Sequence, residues 1–172
     1  MGNLKIRWAT YAWICLVLVT GCTGNAAVSV DMINSQGDKI GTAVLTEEKE
    51  GVKVQFNVSQ LSPGPHGFHI HETGKCAAPD FKSAGGHFNP GHKKHGKLNP
   101  QGTHAGDLAN IVADSDGKAK GAQVAQQVTL SKNQKHSLLK SGGTALVIYE
   151  KADDMKTDPA GDSGRRIACG TI

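Results

Sequence analysis

The chain has 172 residues, with 19 Lys and Arg against 15 Asp and Glu, and so small a positive excess gives no electrostatic footprint for a nucleic-acid partner. Aromatic residues are only 5% of it, so a core has to come chiefly from Val, Ile, Leu and Ala, which bury less area per residue than rings do.

The first residues read as a targeting segment. Met1 to Arg7 carries Lys5 and Arg7 and no acid, and Trp8 to Val19 is a mostly apolar run too short to span a bilayer. It ends in Val19-Thr20-Gly21-Cys22, which resembles the lipobox of bacterial lipoproteins. Residues 1–21 are therefore expected to be a lipoprotein signal peptide, with Cys22 acylated. The competing reading is ordinary secretory cleavage beside an incidental cysteine. Residues 22–26 form a short tether, and Thr23 to Ala26 reach on the order of 15 Å when stretched. The remaining domain, 27–172, would sit close to a lipid surface outside the cytoplasm. Without residues 1–21 the chain keeps 17 Lys and Arg against 15 acids, four phenylalanines, one tyrosine (Tyr149) and no tryptophan.

From there the pattern alternates with period two. Ala27 to Ile33, Ile40 to Leu45 and Val52 to Val58 read as strands, separated by turns at Ser35 to Asp38 and Glu48 to Gly51. Asp114 to Gly117 marks another hairpin and Thr144 to Tyr149 another strand. Glu72 to Gly106, rich in Gly, Pro, Asn and Lys, shows no period, and a loop of that length in a compact domain is functional or disordered. Lys151 to Gly164 is a second such loop. The pattern predicts an all-β fold, an eight-stranded antiparallel barrel or sandwich with two long loops covering one side. Cys15 lies in the leader and Cys22 is the lipid site, which leaves Cys76 and Cys169 as the pair for a disulfide in an oxidising compartment, or as two buried thiols.

Between His69 and Asp107 lie five histidines and an aspartate: His69-x-His71, His87, His95 and His104-x-x-Asp107. Imidazole and carboxylate are the ligands borderline divalent cations prefer, and the near absence of cysteine excludes a zinc finger. His69 and His71, one residue apart on a strand, share a face and form a chelating pair. His87, His95, His104 and Asp107 supply three nitrogens and a carboxylate, the complement of a closed tetrahedral zinc site.

Gly67-Phe68-His69-Ile70-His71-Glu72, Gly85-Gly86-His87-Phe88-Asn89-Pro90, Lys94-His95-Gly96, His104-Ala105-Gly106-Asp107-Leu108 and Gly161-Asp162-Ser163-Gly164-Arg165-Arg166-Ile167-Ala168-Cys169-Gly170 resemble the copper/zinc superoxide dismutases of bacteria. The resemblance covers nearly all of residues 27–172 and implies a Greek-key barrel. It also implies copper on His69 and His71, His87 bridging copper and zinc, and zinc completed by His95, His104 and Asp107. It supports the Cys76–Cys169 disulfide and implies superoxide anion as substrate.

One position departs from the family. Its fourth copper-ligand histidine ends a strand before an Asp-Asp pair, and here that stretch reads Val147-Ile148-Tyr149-Glu150-Lys151-Ala152-Asp153-Asp154. Tyr149 stands in the histidine's place. Cu(II) favours four nitrogens in a tetragonal arrangement, whereas a phenol, with a reference pKa of about 10, has to lose its proton to bind. The expectation is weaker copper binding and a raised potential. Arg166 falls where the family places its anion-docking arginine, against the alternative of a solvated pair with Arg165. Asp153 matches the outer carboxylate that links the two metal sites, against a plain loop acid. His66 is expected to be a hydrogen-bonding loop residue, and His92 and His136 to be exposed, with His92 a distant substitute ligand. Lys82, Lys93, Lys94 and Lys97 form a solvated, mildly positive loop. Two functions follow: an anchored dismutase of reduced activity, or a zinc-stabilised, catalytically inactive copper-binding or surface lipoprotein.

Overall fold

The computed structural model describes residues 27–172; the expected signal peptide, residues 1–21, and the tether from Cys22 lie outside them. Nine strand segments are present among these residues: β1 (Ala27–Asn34), β2 (Lys39–Glu48), β3 (Gly51–Val58), β4 (Gly64–His66), β5 (Phe68–His71), β6 (Ile111–Ala113), β7 (Ala119–Ala125), β8 (Ala145–Tyr149) and β9 (Arg166–Thr171). Seven pair antiparallel in the order β5-β8-β9-β1-β2-β3-β7, and β4 pairs with β6. Only Gly67 separates β4 from β5, so a single bent strand switches sheets there and the expected count of eight becomes nine.

Alternation explains the packing. In β3, Val52, Val54, Phe56 and Val58 are buried while Gln55 and Asn57 are exposed, as a half-solvated antiparallel sheet requires. These side chains meet Val30, Met32, Leu45, Phe68, Ile70, Leu146 and Ile148 in the main core, with Phe56 and Phe68 edge to face at 5.5 Å. A second cluster, Phe81, Ala84, Ala145, Val147, Tyr149 and Cys169, lies on the opposite face of β8 and β9. There every residue of β8 is buried, because the long loop over residues 72–106 covers the side that would otherwise meet water. That loop contains one 3-10 turn, Lys82–Ala84.

Cys76 and Cys169 form a disulfide, Cα–Cα 5.6 Å, that fastens this loop to β9 across 93 residues. Closing so long a loop restricts the unfolded chain by about 4 kcal/mol. Cys169→Ser should therefore lower the thermal midpoint by roughly 10 °C, read by calorimetry. An unchanged midpoint would mean that the loop is held without the bridge.

Candidate metal centre

Two strands and two loops place the donors. β5 presents His69 and His71, both fully buried, and β8 pairs with it so that His71 faces Ala145 and Phe68 faces Ile148. Loop 72–106 returns to the same edge: an isolated bridge joins His71 to His87, and Phe88 N donates to Ile70 O at 2.8 Å. Glu72 fixes the approach, its Oε1 accepting from Gly86 N at 2.9 Å. Loop 151–164 closes over the far side through Asp158, whose carboxylate takes His95 N at 2.8 Å and Lys94 Nζ at 3.0 Å.

Asp107 organises the first group of donors. Its Oδ1 lies 2.9 Å from His87 Nδ1 and 3.1 Å from both His95 Nδ1 and His104 Nδ1. Its Oδ2 accepts from Gly96 N, His104 N and Thr103 Oγ1 at 2.9, 2.9 and 2.7 Å. One ligand atom from each of the four residues falls within 4.8 Å of all the others. Three nitrogens and one carboxylate oxygen at that spacing are a donor set suited to zinc. Burial opposes the Asp107 charge, but the imidazoles and backbone N–H groups around it hold its carboxyl well below the usual carboxylate range. Burial also works against a proton on His95, yet its bonds to Asp107 and Asp153 outweigh that and raise it to about 9.

The second group is different. Burial, helped by the neighbouring His87, pushes His69 well below its ordinary value, and burial with His87 and Arg166 takes His71 down to about 3. Neutral imidazoles keep a lone pair for a metal. His71 Nδ1 donates to Gly85 O at 3.0 Å, which fixes the tautomer and leaves Nε2 as the donor atom. His69 Nδ1 is buried with no hydrogen-bond partner, an orphan that metal coordination would satisfy. Its ring stacks on His87 at 4.1 Å.

Tyr149 completes this second group. It ends β8 opposite Arg166, just past an irregularity at Ile148/Tyr149. Its hydroxyl lies 3.1 Å from His71 Nε2 and 3.4 Å from His87 Nε2. With His71 Nδ1 already a donor, the phenol donates and Nε2 accepts. Burial raises the phenol above its ordinary pKa, and the charge of Arg166 pulls the other way. The residue is 4% exposed and lines an open cavity of about 900 Å³ shared with Asn34, Gln60, Leu61, Arg166 and Ile167. None of the histidines reaches that cavity, so the phenol is the wall between it and them.

Arg166 donates through Nη1 to Phe81 O at 2.8 Å and through Nη2 to Gly85 O at 2.6 Å. Gly85 O thus orients both the guanidinium and His71. Arg165, by contrast, turns outward to Glu150 at 2.8 Å. Asp153 is buried between the groups, with Oδ1 3.0 Å from His95 Nε2 and Oδ2 3.3 Å from His69 Nε2, the latter without hydrogen-bond alignment. Gly161 has φ +63° and packs so tightly against Asp153 Oδ1 that any Cβ would overlap it.

His66 corrects the reading of a loop histidine. It is the last residue of β4, 1% exposed, with Nδ1 2.7 Å from Tyr149 O and Nε2 2.8 Å from Ser62 O. It therefore fixes the backbone under Tyr149, a contact across 83 residues that a single histidine in the sequence does not announce. His92 is exposed and outside the donor cluster, whereas His136 is half-buried, its Nδ1 2.9 Å from Gln127 O. Lys82 and Lys94 are exposed as expected, but each pairs with an acid, Asp80 and Asp158. Glu72 and Asn110, which clamps Asp153 through Asp153 N→Asn110 Oδ1 at 2.8 Å and Asn110 Nδ2→Asp153 O at 2.9 Å, escaped the sequence reading.

Residues 39–172 match the family model described as copper/zinc superoxide dismutase. The chain is 53% identical over 143 residues to superoxide dismutase [Cu-Zn] 1 of Aquifex aeolicus, covering 83% of this chain and 85% of that protein. Against the Escherichia coli K12 superoxide dismutase [Cu-Zn] it is 36% identical, covering 94% and 96%. The crystal structure of a superoxide dismutase-like protein from Bacillus subtilis superposes with a TM-score of 0.83 at 43% identity, over 86% of this chain and 99% of that one. Fold, motif spacing and relatives agree, and the chain belongs to the copper/zinc superoxide dismutase family.

Proposed function

We propose that this protein is an extracytoplasmic, lipid-anchored superoxide dismutase-like metalloprotein that converts superoxide to oxygen and hydrogen peroxide, with turnover limited by Tyr149. The formed Cys76–Cys169 disulfide supports an oxidising compartment. In this reading His87, His95, His104 and Asp107 hold zinc, and His69, His71 and His87 hold copper with the Tyr149 oxygen in fourth place. Copper, when bound, supplies the one-electron couple that oxidises one superoxide to dioxygen and reduces a second, with two protons, to hydrogen peroxide. The chain does the rest. Gly85 O and Asp153 orient the imidazoles, and Arg166, pinned by two carbonyls, sets a fixed positive charge at the approach, where it attracts a small anion. Tyr149 closes the approach from the cavity.

The placement of the Tyr149 hydroxyl against His71 and His87 carries this assignment. It also admits the second reading, a zinc-stabilised, catalytically inactive copper-binding or surface lipoprotein. Tyr149 is the sole tyrosine of residues 22–172, which hold no tryptophan, so intrinsic fluorescence reports on this one position. Stoichiometric Cu(II) added to zinc-loaded protein should quench it by more than about half, and zinc alone far less. No dismutation above that of free copper would select the second reading, copper-binding if the quenching persists and a surface lipoprotein if it is lost.

A further inference from the structure

We infer that the end of the barrel bearing Ala27 is the face that lies on the membrane, against anionic phospholipid headgroups, and that the cavity at Tyr149 and Arg166 opens away from it. This rests on the lipid anchor at Cys22 proposed above. Strand polarity separates the two ends. Register places Ala27, Glu48, Gly51 and Ala125 at one end of the sheet, through the pairs Ala27↔Thr46, Glu48↔Gly51 and Val52↔Ala125. Asn34, Val58 and Ala119 lie at the other, where Asn34 pairs with Ala168 and Tyr149 with Arg166. The cavity that reaches Tyr149 is lined by Asn34, Gln60 and Arg166, so its mouth belongs to that second end.

Tether length then decides between orientations. β1 has eight residues, about 26 Å at roughly 3.3 Å per residue. From Cys22 to Ala27 is five residue steps, about 17 Å at full stretch. Turning the domain over, mouth to the lipid, would hold Ala27 about 26 Å from the surface, farther than the tether reaches. The upright pose turns Ala27 to the lipid side, where the tether starts.

The capping segment fits the same partner. Residues 126–144 leave β7 at the Ala27 end and are fastened there by Glu47, next to the partner of Ala27, which accepts from Thr129 Oγ1 at 2.8 Å and from Leu130 N. This segment presents Lys132 and Lys135 to solvent, and no acidic residue occurs from Gly117 to Tyr149. Lysines near a lipid surface are drawn to anionic headgroups within a Debye length. The adjoining hairpin is mixed in sign, Glu48 pairing with Lys53 at 3.5 Å, so the attraction comes from the capping segment.

The test uses full-length lipidated protein on vesicles of phosphatidylethanolamine and phosphatidylglycerol, with a membrane-impermeant amine-acetylating reagent and mass spectrometry of each lysine. Lys132 and Lys135 should react at least about fivefold more slowly on vesicles than in detergent, while Lys118 and Lys151, exposed toward the mouth end, react at unchanged rates. Protection of Lys118 and Lys151 instead, or equal labelling at both ends, would overturn the orientation and leave the anchor standing. Failure of the protein to float with vesicles, as expected only for Cys22→Ser, would overturn the anchor and the orientation with it.

Discussion

Replacing Tyr149 with histidine should raise the dismutase activity of copper- and zinc-loaded protein by at least about tenfold. The backbone is already in place: His66 Nδ1 holds Tyr149 O at 2.7 Å, and Tyr149 N donates to Gly67 O at 2.9 Å. An imidazole on that backbone is shorter than the phenol. It supplies a neutral nitrogen without the proton loss that burial makes costly for Tyr149. It also withdraws the ring that walls the histidines from the cavity. Tyr149→Phe separates these effects, because it removes the oxygen and keeps the wall, and its activity should stay at or below that of the parent. Should Tyr149→His leave activity unchanged, the phenol does not limit turnover.

Much of this architecture could be read from alternation and spacing, and the parts that could not have physical reasons. Strands β1, β2 and β3 announce themselves because one face is buried and the other wet, as Val52-x-Val54-x-Phe56-x-Val58 shows. β7 is an edge strand of the large sheet, with only Ala119 and Ala125 buried, so its sequence carries little hydrophobic signal. β4 and β6 are three residues each, shorter than any period can register. β8 is buried on both faces, and reads as a continuous apolar run because a loop, invisible to periodicity, covers its outer side.

The donors divide in the same way. Residue type and spacing single out His69, His71, His87, His95, His104 and Asp107, since ligand chemistry depends on side-chain identity. Their meeting depends on backbone contacts that identity does not encode, such as Gly106 N→Phe88 O and Ile70 N→Gly106 O, both 2.9 Å. His66 and Asn110 act across separations of 83 and 43 residues, and no local pattern marks either. Tyr149 was legible as a departure, but only the fold puts its hydroxyl between two imidazoles.

Asp107→Asn should lower zinc affinity by at least about 100-fold in a chelator competition. An asparagine has nearly the same shape, so packing survives, but it brings an NH2 where a carboxylate now accepts. Oδ1 has three imidazole Nδ1 atoms within 3.1 Å and Oδ2 accepts three further bonds. A neutral amide can mimic only one of these oxygens, and it cannot neutralise a dication. Zinc at about 100 times its dissociation constant stabilises the parent by about 2.7 kcal/mol, so the parent's midpoint should rise on zinc addition and the variant's should not. His92→Ala, an exposed change outside the donor cluster, should bind zinc like the parent. Equal affinity in Asp107→Asn would remove the carboxylate from the zinc site. In the proposed site His87 serves both metals, and Asp153 lies between His95 and His69, so the damage should spread: copper quenching of Tyr149 should require more copper in Asp107→Asn than in the parent.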